Sequence, residues 1–135
     1  MVKKTKLDKD DDKLLANHFL QSENSQHKLQ ITNNGRLIIK SGATGKPTWK
    51  SGLKDSSDYP VTKGPYHLTF KTDMSLVLAN AKGTTVWEIN PSCRSTTEPC
   101  YGPNLKVILT NSGNLQIKDN CNIVRWSSVP NMENI

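Results

Sequence analysis

A chain of 135 residues suffices for one domain, and a hydrophobic share of 34% with 6% aromatics limits it to one economical core. No apolar run reaches the roughly 18 residues of a membrane span, and the basic opening lacks the apolar stretch of a secretory signal. The formal charge of +6 is scattered, with no block of one sign, which suits a lysine-rich surface and leans weakly toward anionic partners. Residues 1–13, "MVKKTKLDKDDDK", mix both charges and are expected to form a disordered tail. "DKLLANHFLQSENS" follows and reads as a leading strand and turn. A short helix fits only "DDKLLANHFL", and no window sustains apolar spacings of three and four.

From His27 onward the pattern repeats. Val107, Leu109, Leu115, Ile117 and Trp126 lie 39 residues after Leu68, Phe70, Leu76, Leu78 and Trp87. A second step of 39 reaches Leu29, Ile31, Leu37, Ile39 and, with one residue of slack, Trp49. All fifteen positions are apolar, and the three tryptophans are the only ones in the chain. A fixed period of this size signals a structural repeat. Within each copy the apolar residues alternate, as in strands with one buried face. The intervening "TNNG", "TDMS" and "TNSG" are suited to tight hairpins. One such sheet cannot bury its inner face alone, whereas three can by packing round a common axis with the tryptophans at the centre. The expected body is 14–128, with repeats near 28–52, 67–90 and 106–128, and 129–135 as a C-terminal extension.

Residues 89–104 form the longest irregular stretch and hold Cys93 and Cys100, which could close a loop; Cys121 is expected in a hairpin turn. Three cysteines without a signal peptide suggest a reducing compartment, or one local bridge plus a free thiol, and the expected location is the cytoplasm, with non-classical secretion as the other route. No cysteine pair has zinc spacing, and His18, His27 and His67 are scattered. Neither a metal site, a cofactor nor a nucleophile–base set is expected, and the chain reads as a non-enzyme.

The three repeats, the "GNL"-like hairpin and the closing Trp126-Ser127-Ser128 resemble the bulb-type (monocot mannose-binding, Galanthus-type) lectin domain over residues 14–128. The resemblance implies an all-β, β-prism II fold of three antiparallel sheets, each of about four strands, in pseudo-threefold array. It also implies mannose sites of the pattern Gln-x-Asp-x-Asn-x-Val-x-Tyr, one per repeat. The corresponding residues are Thr32, Asn34, Arg36, Ile38 and Lys40; then Lys71, Asp73, Ser75, Val77 and Ala79; then Thr110, Ser112, Asn114, Gln116 and Lys118. No copy is intact. The candidate sugar ligands are therefore Lys71, Asp73, Ser75 and Val77 in the second repeat, with Asn114 and Asn34 as remnants in the third and first. Lys71 would favour an acidic sugar over plain mannose. The resemblance further implies a homodimer built by exchanging the C-terminal strand, here Ile123 to Ser128.

The leading functional expectation is glycan binding through degenerate mannose-type sites. The alternative is an interaction module that has lost mannose binding and takes protein or an anionic membrane surface. Nucleic acid is the least favoured partner, because no aromatics interleave with the basic residues.

Overall fold

A computed structural model describes residues 2–8, 12–42, 44–51, 64–71, 73–90 and 102–128. Among the described residues every regular element is a strand. In chain order these are β1 (Val2–Lys4), β2 (Leu7–Asp8), β3 (Asp12–Leu14), β4 (His18–Gln21), β5 (His27–Ile31), β6 (Leu37–Ser41), β7 (Pro47–Lys50), β8 (Tyr66–Phe70), β9 (Leu76–Asn80), β10 (Thr85–Ile89), β11 (Lys106–Leu109), β12 (Leu115–Lys118) and β13 (Val124–Ser127). They form three sheets, ordered β1-β4-β5-β6-β7, β10-β9-β8-β3 and β13-β12-β11-β2. Each repeat supplies three consecutive antiparallel strands, as the alternating pattern predicts.

The register explains why the repeat has these apolar positions. In the first sheet Leu20 pairs with Leu29, Leu29 with Ile39, and Ile39 with Trp49. In the second the row is Leu14, Leu68, Leu78, Trp87. In the third it is Leu7, Val107, Ile117, Trp126. Each row crosses its sheet on the inner face. The nine aliphatic members are fully buried. The three tryptophans meet one another edge to face, with ring centroids 6.0–6.3 Å apart and planes at 68–74°. They are half-buried and packed on the same core, closing the centre as expected.

The N-terminal segment corrects the sequence reading. Residues 1–13 were expected to be a disordered tail, yet Val2–Lys4, Leu7–Asp8 and Asp12–Leu14 form strands, one in each of the three sheets. β2 extends the third sheet beside β11, and β3 extends the second beside β8. β1 adds a parallel edge to the first, beside β4. The reason is that a three-stranded repeat leaves one edge of backbone donors and acceptors unpaired and one place in its inner row vacant. Leu7 and Leu14 fill two of those places. Because alternate residues of a strand face outward, the charged neighbours stay in water.

Asp12 clasps this arm. Its Oδ1 accepts from Lys4 Nζ at 2.8 Å and from the Lys13 amide at 3.0 Å, and its Oδ2 accepts from the Asp8 amide at 3.0 Å. Burial pushes the carboxyl up, but the Lys4 ammonium and the two amides outweigh it and hold it below its usual 3.8. A folded-state pKa below the unfolded one gives stability that is present above pH 3.8 and is lost as pH falls through the folded value. Asp12→Ala should therefore cost about 1 kcal/mol at pH 7 in urea melts. The cost should vanish at pH low enough to protonate the wild-type carboxyl.

The sheets meet at matched junctions. Gly35 has φ +83°, and a Cβ there would stand 3.0 Å from the Tyr66 ring. Gly113 has φ +88°, and its Cβ would stand 2.8 Å from His27. The third junction inverts the sizes. Met74, at φ 72° in the equivalent turn position, and Leu105, equivalent to Tyr66 and His27, are both buried in the core. Cys121 lies in a hairpin turn as expected, its amide donating to Asp119 Oδ1 at 2.8 Å. Cys93, Cys100 and the 129–135 extension lie outside the described residues.

Candidate binding site

Each repeat places the same hairpin at the end of its first strand. In the first, Thr32 Oγ1 accepts the Arg36 amide at 3.0 Å and donates to Asn34 Oδ1. In the third, Thr110 Oγ1 accepts the Asn114 amide at 3.0 Å and bonds the Ser112 hydroxyl at 2.9 Å. The second hairpin has Lys71 where the others have threonine. There the turn is capped by Asp73, whose Oδ1 accepts the Ser75 amide at 2.9 Å. The Lys71 backbone still closes the turn, but its side chain takes no part in the cap and stands exposed.

These substitutions matter because the outer face of the second sheet is hollow. Lys71, Asp73, Val77 and Ala79 line a recess of about 480 Å³ together with Lys13, His67, Thr69, Gly83 and Thr85. The register explains the convergence: Lys13 pairs with Thr69, Thr69 with Val77, His67 with Ala79, and Ala79 with Thr85. One carboxylate, two ammonium groups, an imidazole and two hydroxyls surround an aliphatic floor. This is chemistry for a polyhydroxylated ring with one apolar face.

Burial pushes the Asp73 carboxyl up, but hydrogen bonds from the Ser75 amide and hydroxyl and the Lys71 charge outweigh it and hold it below 3.8. It is ionised throughout the neutral range. For His67, burial and the Lys13 charge both lower its pKa below 6.5, so at neutral pH it is an uncharged donor–acceptor.

The sequence candidates divide on inspection. Lys71, Asp73 and Val77 come together in the recess. Ser75 is buried beneath the turn and acts through Asp73. Asn34 and Asn114 belong to the first and third hairpins, where Asn34 accepts from the Thr32 hydroxyl and the Asn114 amide bonds Thr110. Lys13, His67, Thr69 and Thr85 were missed. The signal for Thr69 was its outward place between Leu68 and Phe70; that for Lys13 was its place before the inward Leu14.

The three twisted sheets round a tryptophan-filled axis define a β-prism II protein, with the fold of the bulb-type lectins. Among solved structures the chain is similar to a Marasmius oreades lectin, at 16% identity and TM-score 0.70, over 95% of this chain and 94% of that one. It is similar to monomeric monocot mannose-binding lectins from Gastrodia elata, at 21% identity and TM-score 0.68, over 94% and 96%. It is also similar to the mannose-specific agglutinin of snowdrop (Galanthus nivalis) in complex with methyl-α-D-mannoside, at 16% identity and TM-score 0.59, over 94% and 97%. No family model and no curated protein matches the chain.

Proposed function

We propose that the protein is a non-catalytic carbohydrate-binding protein whose sugar site is the recess on the second sheet. The observation that carries this reading is the meeting of Asp73, Lys71 and Val77 with His67, Thr69 and Thr85 in one hollow. Asp73 accepts from sugar hydroxyls, Lys71 donates to them or to an acidic substituent, and Val77 and Ala79 pack on the apolar face of the ring. The mannose-specific snowdrop agglutinin and the mannose-binding Gastrodia lectins share the fold, which supports a sugar as ligand. The recess is shallow and holds no aromatic ring besides His67 among its described lining residues, so one site should bind at about millimolar strength, about −4 kcal/mol.

The test is a sugar titration of the labelled protein followed by amide shifts. Mannose and acidic sugars should move residues 67–79 and 85. Asp73→Asn keeps an oxygen for the Ser75 amide, so the turn survives, but it should weaken binding about tenfold by removing a charged acceptor. Asp73 stays ionised down to pH 3.8, and binding should be lost once acid protonates it below that; protonation of His67 at a pH below 6.5 adds a cation to the recess on the way, which should favour acidic sugars over mannose. If no sugar shifts these residues, the interaction-module reading takes its place.

Assembly belongs to the same proposal. The Gastrodia lectins are described as monomeric, which supports a monomer. Exchange of β13 between two copies would preserve the Ile117–Trp126 pairing in a homodimer. Sedimentation velocity separates the two by a factor of two in mass.

A further inference from the structure

The recess has counterparts on the other two sheets, and they differ in chemistry. The residue before each inward leucine of the leading strands is Lys13 in the second sheet, Phe19 in the first and Lys6 in the third. The next two equivalent places hold His67 and Ala79 in the second sheet, Lys28 and Lys40 in the first, and Lys106 and Lys118 in the third. In the first sheet Lys28 Nζ lies 4.8 Å from the centre of the Phe19 ring, so the protein's own side chains meet over the equivalent place. In the third it is open. A recess of about 480 Å³ is lined by Lys6, Lys106, Lys118, Ile108, Thr110 and Gln21, among others.

Lys106 and Lys118 are direct cross-strand partners on an outward face. Like charges in that arrangement repel. The first sheet relieves its own lysine pair by drawing Lys28 over an aromatic ring, whereas the third sheet places a further cation, Lys6, at the matching position. Among the described residues neither Lys106 nor Lys118 makes an ion pair. Asp8 stands across from Lys106, but its carboxylate is taken by Lys6 at 3.3 Å. Among the described residues Glu23 is the only acid lining the recess. Even counting Asp8 with Glu23, three ammonium groups face two carboxylates among the described residues, a positive excess. Beside them lie the aliphatic Ile108 and the polar Thr110 and Gln21.

We propose that this third-sheet recess is a second binding site, for a sugar bearing a tetrahedral oxyanion ester, sulfate or phosphate. Lys106 and Lys118 bracket the anion, Lys6 sets the far wall, and Ile108 carries the ring. The anion relieves the lysine–lysine repulsion that the fold otherwise leaves standing. The proposal extends the carbohydrate-binding reading to a different sheet, and the two are separable because they report at different residues.

The experiment titrates the labelled full chain with glucose 6-sulfate, glucose 6-phosphate, glucose and inorganic sulfate. Either ester should shift amides at 5–8, 106–110 and 116–118, and the stronger of the two identifies the group. Glucose should leave these amides unmoved, and inorganic sulfate should bind more weakly than the esters. Lys118→Gln and Lys106→Gln should each weaken binding about tenfold. Glu23→Gln should tighten it. Affinity should fall as salt is raised. All three positions are at the surface, so folding is checked by an unchanged urea midpoint. Wild-type affinity in both lysine variants, equal binding of glucose, or inorganic sulfate binding as tightly as the esters would overturn the assignment. Mannose shifts confined to 67–79 would leave the second-sheet reading intact in any of these cases.

Discussion

Removal of residues 1–15 is expected to abolish cooperative folding, although that segment is the most charged part of the chain. Leu7 and Leu14 are fully buried members of the inner rows. Truncating a buried leucine to alanine costs about 2–5 kcal/mol. Two such losses approach the roughly 5–15 kcal/mol that holds a domain of this size. Truncation also strips the backbone partners from β8 and β11 and the parallel edge from β4. The single variant Leu14→Ala should lower stability by about 2–5 kcal/mol in urea denaturation. Lys13→Ala, one residue away on the outer face, should change it by less than about 0.5 kcal/mol. A truncated protein that melts at the wild-type midpoint would show that the arm is an appendage and not the fourth strand of the sheets.

The contrast between the arm and the repeats shows what a sequence displays. Leu68, Leu78 and Trp87 were legible because each repeat strand spends several residues in the core and the spacing recurs. The leading strands are short, so each gives one clear inward residue, and Leu7, Leu14 and Leu20 follow one another without the 39-residue spacing. Surrounded by lysine and aspartate, Leu7 looks like solvated chain, whereas Leu14 and Leu20 fall in the stretch that reads as a leading strand. The site was legible to the same extent. Lys71, Asp73 and Val77 sit on a hairpin whose alternation fixes their face. Lys13 and Thr85 enter the recess only through the pairing of β3 and β10 with their neighbours. Alternation also misplaced Ser75, because a turn residue does not follow the strand period; it is buried under the Asp73 cap.

The hollows follow from the same register. A residue one place from the inner row faces outward, so the symmetry that buries three leucines also presents Lys6, Lys13 and Phe19 at equivalent outer positions. The core is held to near-threefold symmetry by packing, while the outer positions are free to differ. The outer chemistry therefore differs sheet by sheet: Lys28 over the Phe19 ring on the first, a recess of mixed charge on the second and a basic one on the third.

Trp87→Ala is expected to destabilise the protein by about 3 kcal/mol, the lower end of the range for a large aromatic, because the ring is half-buried and not fully enclosed. The loss is not confined to the second sheet. Trp87 lies 6.3 Å from Trp49 and 6.0 Å from Trp126, and removing it leaves a single edge-to-face contact, Trp49 on Trp126 at 6.2 Å. Edge-to-face pairs contribute about 0.5–1.5 kcal/mol beyond the area they bury. Trp49→Ala in the Trp87→Ala background should therefore cost less than Trp49→Ala alone, with a coupling of that size in a double-mutant cycle. Trp87→Phe should fall between wild type and alanine, since a smaller ring keeps part of the contact. Each tryptophan ends the inner row of a different sheet, so the coupling joins all three sheets into one cooperative unit. Urea melts followed by fluorescence and by circular dichroism should coincide in the wild type. Strict additivity of the two alanine substitutions would mean that the three rings pack on the core independently and that the axis does not bind the sheets together.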